Sequence, residues 1–232
     1  MGLANLPRLA FRKHTAYRLV NGKYPPIHIF DDVADQADFD ALYAVQALTN
    51  PRLQHEIGDL NRVPAEQRPW GIPGCNYALG PFVHINPEGS RFSSGTHGVF
   101  YCADKMATAI AETRYHQERY FRNVDGLKYD RIVMRGLTTQ FSATLVDITP
   151  ASRHPEWHAP NDYQAARALG EQVISEQEAG IHYESVRAPG NRCHALFSPR
   201  MIESVIPSQH YEYIWDGERI SHVLTIRRFI GT

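Results

Sequence analysis

The sequence predicts an α+β fold. Its strand patterns outnumber its helical patterns, and the two kinds do not alternate regularly along the chain, which argues against a doubly wound sheet. Of the 232 residues, 43% are hydrophobic, which is enough to bury a substantial core. No internal repeat, low-complexity tract or linker divides the chain, so we expect a single domain.

The N-terminal elements are a strand and an amphipathic helix. The run TAYRLV at residues 15–20 favours a strand, and the proline pair at 25–26 ends it. A helix begins at Asp35 or Asp38 and extends to Leu48, because apolar side chains recur there at helical spacing.

The middle of the chain contains a segment without a clear secondary-structure pattern, followed by a predicted strand and a predicted helix. Residues 51–87 are rich in Pro, Gly and Asn without a clear period, so they form either a long functional loop or a set of short elements. Residues 99–101 then favour a short strand. Asp104 occupies the N-cap position of a helix whose apolar residues follow at helical spacing.

The second half of the chain is rich in strands. Asp162 is expected to cap a helix that extends to Glu178. Strands are predicted at residues 130–135, 143–148, 181–187, 194–197, 211–215 and 222–226.

Composition excludes several classes of function. The formal charge of −1 provides no basic field, so direct nucleic-acid binding is not expected. The three cysteines are odd in number and scattered, which indicates a reducing compartment. No stretch approaches the ~20 apolar residues of a membrane span, and residues 1–14 lack a signal core. We therefore expect a cytoplasmic protein that does not bind membranes.

The most informative segment runs from Gly89 to His116. It places Arg91 in a glycine-rich loop, Tyr101 on the strand that follows, and Glu112 about two turns into the next helix. The guanidinium fork of an arginine can hold two phosphate oxygens. Glycines that would let the backbone approach a pyrophosphate stand at positions 89, 95 and 98. Each residue alone is more often solvated, but this order suits the binding and cleavage of a nucleotide sugar.

Other candidates are weaker. His154 and His158 are four residues apart, but Pro155 interrupts their turn, so a surface loop is favoured over a zinc site. Cys193 and His194 are neighbours on a predicted strand and therefore face opposite sides, which favours a buried thiol over a nucleophile. None of the twelve histidines belongs to a Cys/His array with metal spacing, so no metal is expected.

Polar side chains near Glu112 have two interpretations. His116 lies one turn after Glu112 and on its side of the helix. It is either a substrate contact or part of the helix's polar face. The same alternatives hold for Arg114, Tyr115, Arg119 and Tyr120.

In order and spacing, four blocks resemble the RES domain, a family named for an arginine, a glutamate and a serine. They are Tyr17-Arg18-Leu19, Gly89-Ser90-Arg91-Phe92-Ser93, Val99 to Glu112, and Gly180 to Arg187 followed by Gly190 and Ala195-Leu196-Phe197. The second block in the family often reads Gly-Gly-Arg-Trp-Asn. This chain departs from that pattern at Ser90, Phe92 and Ser93.

The resemblance implies an ADP-ribosyltransferase-like mixed sheet core with flanking helices and NAD as substrate. Residues 88–232 would form the RES-like catalytic core, with residues 1–87 part of the same domain. Members of the family are typically toxins that degrade NAD by hydrolysis or phosphorolysis, or that transfer ADP-ribose to a protein. The implied partner is a helix-turn-helix antitoxin that covers the active site. Homo-oligomerisation stays open, and a catalytically inactive binding module with this fold is the non-enzyme alternative.

The resemblance also implies roles for five residues. Glu112 would stabilise positive charge on the ribose as the bond to nicotinamide breaks. Arg91 would clamp the pyrophosphate, with Arg18 as the second cation. Tyr101 would stack on nicotinamide or hydrogen-bond to it. Ser185 would either bind a hydroxyl of the nicotinamide ribose or steady Glu112.

Overall fold

A computed structural model describes residues 3–23, 33–48 and 57–227. Within these ranges the chain forms a seven-stranded mixed sheet and four α-helices, so the α+β prediction is confirmed. The strands are β1 (Arg8–Asn21), β2 (Phe100–Ala103), β3 (Asp130–Asp147), β4 (Gly180–Glu184), β5 (Arg192–Leu196), β6 (Ile202–Trp215) and β7 (Ile220–Ile226). The helices are α1 (Gln36–Ala47), α2 (Cys75–Val83), α3 (Met106–Arg122) and α4 (Gln164–Ser175). The proline pair at 25–26 lies outside the described residues.

The sheet closes on itself at one end. Its strand order is β1-β2-β5-β4-β3-β6-β7, and β3 also pairs with β1. Strands β1, β2, β5, β4 and β3 therefore form a ring, from which β6 and β7 extend. The β3–β4 pair is parallel, and the other pairs are antiparallel.

Apolar side chains pack on both faces of this sheet. Along β2, Phe100 and Cys102 belong to one core cluster, whereas Ala103 belongs to the other. The first cluster includes side chains of α1 and α2, and the second includes side chains of α3 and α4. Successive side chains of a strand point to opposite faces of the sheet. Consecutive residues on β2 and β5 therefore lie in different environments.

Strand β3 corrects the sequence-based prediction of two strands at 130–135 and 143–148. The Thr-Thr-Gln run at 138–140 interrupts the apolar pattern, yet β1 and β6 pair with it from both sides. Thr139 is completely buried. Pairing on both edges thus keeps one continuous strand, with irregular register near Leu137 and Phe141.

The described part of the 51–87 segment consists of short elements, the second of the two alternatives. Two 3-10 turns, Leu60–Arg62 and Ala65–Gln67, precede α2. Six of the nine residues of helix α2 are buried, and the helix contains Pro81, a residue that usually argues against a helix.

Helix starts agree with the sequence in one case and differ in two. Asp35 caps α1, since its carboxylate accepts hydrogen bonds from the backbone at 37 and 38. Asp104 does not cap α3, because Lys105 holds that position and the Asp104 carboxylate contacts two histidines instead. Helix α4 begins at Gln164 and ends at Ser175, so the predicted span from Asp162 to Glu178 was too long. No helix in the described ranges has the length and apolar composition needed to cross a membrane.

Candidate active site

A cavity of about 600 Å³ lies where β1, β2, α3 and the start of α4 meet the loop at 86–91. Arg18, Arg91, Tyr101 and Glu112 all line it. The fifth predicted residue, Ser185, lies behind Glu112 and touches it. The structure thus brings together all five predicted side chains. A second cavity of about 610 Å³, between α1 and residues 57–68, contains none of them.

Glu112 is held by Ser185. The Ser185 hydroxyl donates to Glu112 Oε1 at 2.6 Å, and the serine is only 2% exposed. The same hydroxyl oxygen accepts from the backbone N–H groups of Ala188, at 2.9 Å, and Arg187, at 3.2 Å. A hydroxyl has one proton to donate. Since that proton goes to Glu112, the geometry favours the interpretation in which Ser185 steadies the carboxylate.

Arg91 is fixed along one edge of its guanidinium and open along the other. Nη1 donates to the carbonyl oxygens of Ala159, at 2.9 Å, and Trp157, at 3.3 Å. The guanidinium also lies over the ring of Tyr163, 4.5 Å from its centroid. Among the described residues, Nε and Nη2 have no hydrogen-bond acceptor. This open edge is the fork that can bind an anion bidentately.

Tyr101 supports the loop that carries Arg91. Its hydroxyl accepts from the Phe92 N–H at 3.0 Å and hydrogen-bonds to Ser90 Oγ at 2.8 Å. Burial raises the pKa of Tyr101 to about 12, so the phenol stays neutral. The hydroxyl is therefore engaged within the protein. The part of Tyr101 that can contact a ligand is the ring surface that lines the cavity.

The loop glycines allow close packing inside the protein. Gly89 has φ +78°, and a Cβ there would lie 2.3 Å from the carbonyl oxygen of Ser93. At Gly95 and Gly98, a Cβ would lie within 2.5 Å of backbone atoms of residues 81–87. The glycines let the loop pack against the protein's own backbone. The approach of the backbone to a pyrophosphate stays a prediction beside this packing role.

The cavity carries more positive than negative charge. Arg18 donates from Nη1 to the carbonyl oxygen of Tyr101 at 2.8 Å and lies against the Phe100 ring. Burial lowers the pKa of Arg18 from its usual value. The charged lining consists of Arg18, Arg91, Arg119, Arg167, Glu88 and Glu112. Four guanidinium groups against two carboxylates suit an anionic ligand.

His116 also lines the cavity, which favours the substrate-contact interpretation over the polar-face one. Its pKa is lowered, first by partial desolvation and then by nearby arginines, although Glu112 acts in the opposite direction. A neutral imidazole one turn from Glu112 can donate or accept a hydrogen bond. Arg119 and Tyr120 line the cavity as well, whereas Arg114 pairs with Glu118 at 3.1 Å.

The sequence analysis did not identify two residues that support the Arg91 loop, Tyr163 directly before α4 and Arg167 on α4. Tyr163 lies under the Arg91 guanidinium, and Arg167 donates to the carbonyl oxygens of Ser90, at 3.0 Å, and Glu88, at 2.8 Å. They lie more than 70 residues from the loop they hold. The four-residue spacing of Tyr163 and Arg167 on one helical face was the one available signal.

The His154–His158 loop holds Arg91 and does not present two free imidazoles to a metal. His158 Nε2 accepts from the Glu184 N–H at 3.3 Å, so its Nδ1 carries the proton and donates to the His154 carbonyl at 2.9 Å. Burial, above all, lowers the pKa of His158 and keeps the ring neutral. Backbone groups engage both nitrogens of His158. This agrees with the prediction that the segment is a loop rather than a zinc site.

Cys193 and His194 face opposite sides of β5, as predicted from their adjacency. Cys193 lines the cavity, and burial raises the pKa of its thiol far above the usual range. His194 instead contacts Asp104 on the other side. A Cys–His nucleophile pair is therefore ruled out by geometry.

A model of the RES domain family matches residues 68–216, which is more than half of the chain. The chain belongs to the RES domain family. It is 28% identical over 213 residues to a protein of Sinorhizobium fredii (strain NBRC 101917 / NGR234) called "Uncharacterized protein y4oC", covering 90% of this chain and 86% of that one. A chain in the crystal structure of the M. tuberculosis MbcT-MbcA toxin-antitoxin complex is similar at 10% identity and a TM-score of 0.47, over 89% of this chain and 86% of that one.

The RES domain match places four of the five predicted residues inside the family's boundaries. Arg91, Tyr101, Glu112 and Ser185 lie within it, and Arg18 precedes it on β1. Arg18 enters the cavity of this RES domain because β1 pairs with β2 beside Tyr101.

Proposed function

We propose that this RES domain protein is a toxin that degrades NAD by cleaving the bond between nicotinamide and ribose. The observation that carries the proposal is the Ser185-held carboxylate of Glu112 in a cavity that also contains Arg18 and Arg91. The cavity volume is within the range of about 300–1,000 Å³ typical of small-molecule sites. Membership in the RES domain family supports NAD as the substrate.

The two arginines account for binding. The open edge of Arg91 clamps the pyrophosphate of NAD, and Arg18 adds the second positive charge. Loop contacts from Tyr101 and Arg167 fix Arg91 before the substrate arrives. Such preorganisation lowers the entropy that is lost when the ribose is oriented for cleavage.

Glu112 accounts for bond cleavage. As the bond to nicotinamide breaks, positive charge develops on the ribose, and a carboxylate next to it stabilises that state more than the ground state. Ser185 occupies Oε1, which leaves Oε2 to face the ribose. The exposed ring surface of Tyr101 stacks on nicotinamide, the neutral leaving group.

Three acceptors can complete the reaction. Water gives ADP-ribose, phosphate gives phosphorylated ADP-ribose, and a protein side chain gives an ADP-ribosylated protein. The first two define the NAD-degrading enzyme, and the third defines an ADP-ribosyltransferase that uses the same cavity. Family resemblance supports a helix-turn-helix antitoxin that blocks the cavity in the cell that produces the toxin.

The deciding experiment is incubation of the purified full-length protein with NAD, with and without phosphate, followed by mass spectrometry of the products. Release of nicotinamide with free or phosphorylated ADP-ribose is the expected result. A mass increase on added protein, without these small products, would move the assignment to the transferase. Intact NAD after incubation with folded protein would leave the non-catalytic binding module.

A further inference from the structure

A second polar cluster lies on the face of β5 opposite the cavity. We call His14, Asp104 and His194 the His–Asp cluster. The Nε2 atoms of His14 and His194 lie 2.8 and 2.6 Å from Asp104 Oδ1. One ligand atom from each side chain lies within 4.8 Å of the other two. The proposed cleavage of NAD does not use these residues.

The cluster is built from three separate segments of the chain. A register shift in β1 between Phe11 and His14 marks the bulge next to His14. Asp104 lies between β2 and α3, and His194 lies on β5. Bulges are a common means of re-aiming a side chain. The fold thus brings together residues that lie about 90 positions apart in the sequence.

Its geometry is close to that of a three-ligand zinc site. Ligand atoms about 2.0–2.1 Å from one tetrahedral ion are about 3.3 Å apart. The two contacts to Asp104 would need to lengthen by less than about 1 Å to reach that spacing. The two histidine ligand atoms lie within 4.8 Å of each other, so their spacing would need to change by at most about 1.5 Å. His194 is fully buried, whereas the side chains of His14 and Asp104 are 31% and 33% exposed. The partly exposed side gives an ion and a water ligand access from solvent.

The surroundings fit a metal-binding histidine. His182 Nδ1 lies 3.2 Å from His194 Nδ1, the ring nitrogen that points away from Asp104. Metal-bound histidines usually donate from their second nitrogen to a carboxylate, a carbonyl or a water, which fixes the ring. Here the His182 imidazole would be the acceptor. Phe11 and Phe141 pack against the His194 ring at centroid distances of 4.9 and 5.1 Å.

We propose that the His–Asp cluster binds one divalent transition-metal ion, with two imidazoles, one carboxylate and a water as ligands. The ligand set matches zinc and is unsuited to magnesium or calcium, which prefer oxygen ligands only. The ion ties β1 and β5 to the residue two positions before α3, the helix that carries Glu112. The ion would hold these three parts of the chain together, and the cleavage of NAD proposed above does not use it.

The test is a titration of the full-length protein with Zn²⁺, after treatment with a chelator and its removal. Calorimetry, with a competing chromophoric chelator for tight binding, is expected to give one ion per chain. His14→Gln, Asp104→Asn and His194→Gln should each weaken binding by at least about tenfold, since each removes a ligand or its charge. His222→Gln is the matched control, because His222 is exposed on β7 away from the cluster.

Two further measurements keep the result decisive if a variant folds poorly. Co²⁺ in place of Zn²⁺ should produce visible absorption bands typical of tetrahedral coordination in the wild type and in His222→Gln. Zn²⁺ should raise the melting temperature of these two proteins and not that of the folded His14→Gln variant. No binding by the wild type, or binding by the three cluster variants as tight as that of the wild type, would overturn the proposal and leave a cluster held by hydrogen bonds alone. NAD is absent from every assay, so the outcome does not depend on the proposed reaction.

Discussion

At the residue scale, the two main side chains of the cavity are each held through one part and open through another. Ser185 holds Glu112 through Oε1, and backbone carbonyls hold Arg91 through Nη1. Groups fixed in this way before the ligand binds do not have to reorganise when charge develops. Substitutions that preserve the held contact and change the open part therefore separate catalysis from folding.

Glu112→Gln is such a substitution. The amide oxygen can still accept from Ser185, so we expect the fold and much of the NAD affinity to be preserved. Loss of the negative charge next to the ribose should reduce turnover at least about 100-fold, or about 2.7 kcal/mol of transition-state stabilisation. The measurements are NAD consumption and NAD titration, with the exposed Glu66→Gln as control. Unchanged consumption by a folded Glu112→Gln protein would falsify the assignment.

Arg91 tests the pyrophosphate clamp. Arg91→Lys keeps the charge but loses the fork, and Arg91→Ala loses both, so NAD affinity should fall in the order wild type, Lys, Ala. Both variants also lose contacts to the carbonyls at 157 and 159. Calorimetric titration with NAD or a non-cleavable analogue measures the order of affinities. The melting temperatures of the three proteins are compared first, so that a loss of fold is not mistaken for a loss of affinity. Equal affinities for the three proteins would remove Arg91 from the binding site.

The sequence could predict the residues that lie on one continuous segment. Arg91, Tyr101 and Glu112 fall within a loop, strand and helix whose order is visible locally. The supports on the other side of Arg91 could not be predicted. Tyr163 approaches it only because α4 packs across the loop, a tertiary contact with no local pattern.

At the element scale, packing of α4 against the Arg91 loop depends on one helical glycine. A Cβ on Gly170 would lie 2.0 Å from the carbonyl oxygen of Phe92. Helix interiors usually disfavour glycine relative to alanine. The close approach explains why α4 has one here.

Gly170→Ala should therefore destabilise the protein by about 1–3 kcal/mol, the usual cost of overpacking, and weaken NAD binding through the Arg91 loop. Gly80→Ala in α2 is the matched control, since a Cβ there meets nothing within 4 Å. That variant should change stability by less than about 1 kcal/mol, because the higher helix propensity of alanine is offset by the steric restriction on a residue that precedes Pro81. Urea unfolding of both proteins measures the difference. Equal changes in the two variants would contradict this role for Gly170.

The loop at 154–159 should make the protein sensitive to acid. His158 is neutral in the folded state and its pKa is lowered, so below the ordinary pKa of about 6.5 the unfolded chain binds a proton that the folded one does not. Stability should fall as pH decreases through this range, by at most about 1.4 kcal/mol per pH unit from this group. Urea midpoints at pH 7.5 and 5.5 measure the change.

His158→Gln removes the titrating ring and should show a smaller loss between these pH values. His222→Gln, exposed on β7, should behave like the wild type. The acid loss would have another origin if His158→Gln and the wild type lost equal stability.

Element boundaries show where local patterns are insufficient. The polar run at 138–140 reads as a break, but pairing on both edges keeps β3 continuous. Pro81 makes α2 difficult to predict from the sequence. Burial of apolar residues before and after Pro81 nevertheless stabilises the helix. In both cases tertiary contacts outweigh a local preference.

At the scale of the whole molecule, the ring of strands determines which distant residues meet. Pairing of β3 with β1 brings Arg18 to the cavity on one side and His14 to Asp104 and His194 on the other. The sequence indicates the strands but does not give the closure of the sheet. For this reason Arg18 could be assigned to the site only through the family resemblance. The His–Asp cluster could not be found from the spacing of its residues along the sequence.

The proposed activity makes a prediction about the cell. Expression of this chain alone in bacteria should arrest growth and lower cellular NAD, because consumption of NAD deprives the host of a required cofactor. Glu112→Gln at matched soluble expression should be tolerated, and co-expression of the proposed antitoxin should restore growth and the NAD level of cells that lack this chain. With a formal charge of −1, this chain has little long-range field, so its association rate with the proposed antitoxin should depend only modestly on salt.

The measurements are growth curves, NAD quantification in extracts, and association rates at low and high salt. Arrest with a fall in NAD that requires Glu112 would support NAD degradation in the cell. Arrest at normal NAD would favour transfer of ADP-ribose to a protein, because transfer to a few target molecules consumes little NAD. Normal growth at good soluble expression would favour the non-catalytic binding module, since the cavity would then hold a ligand without cleaving it.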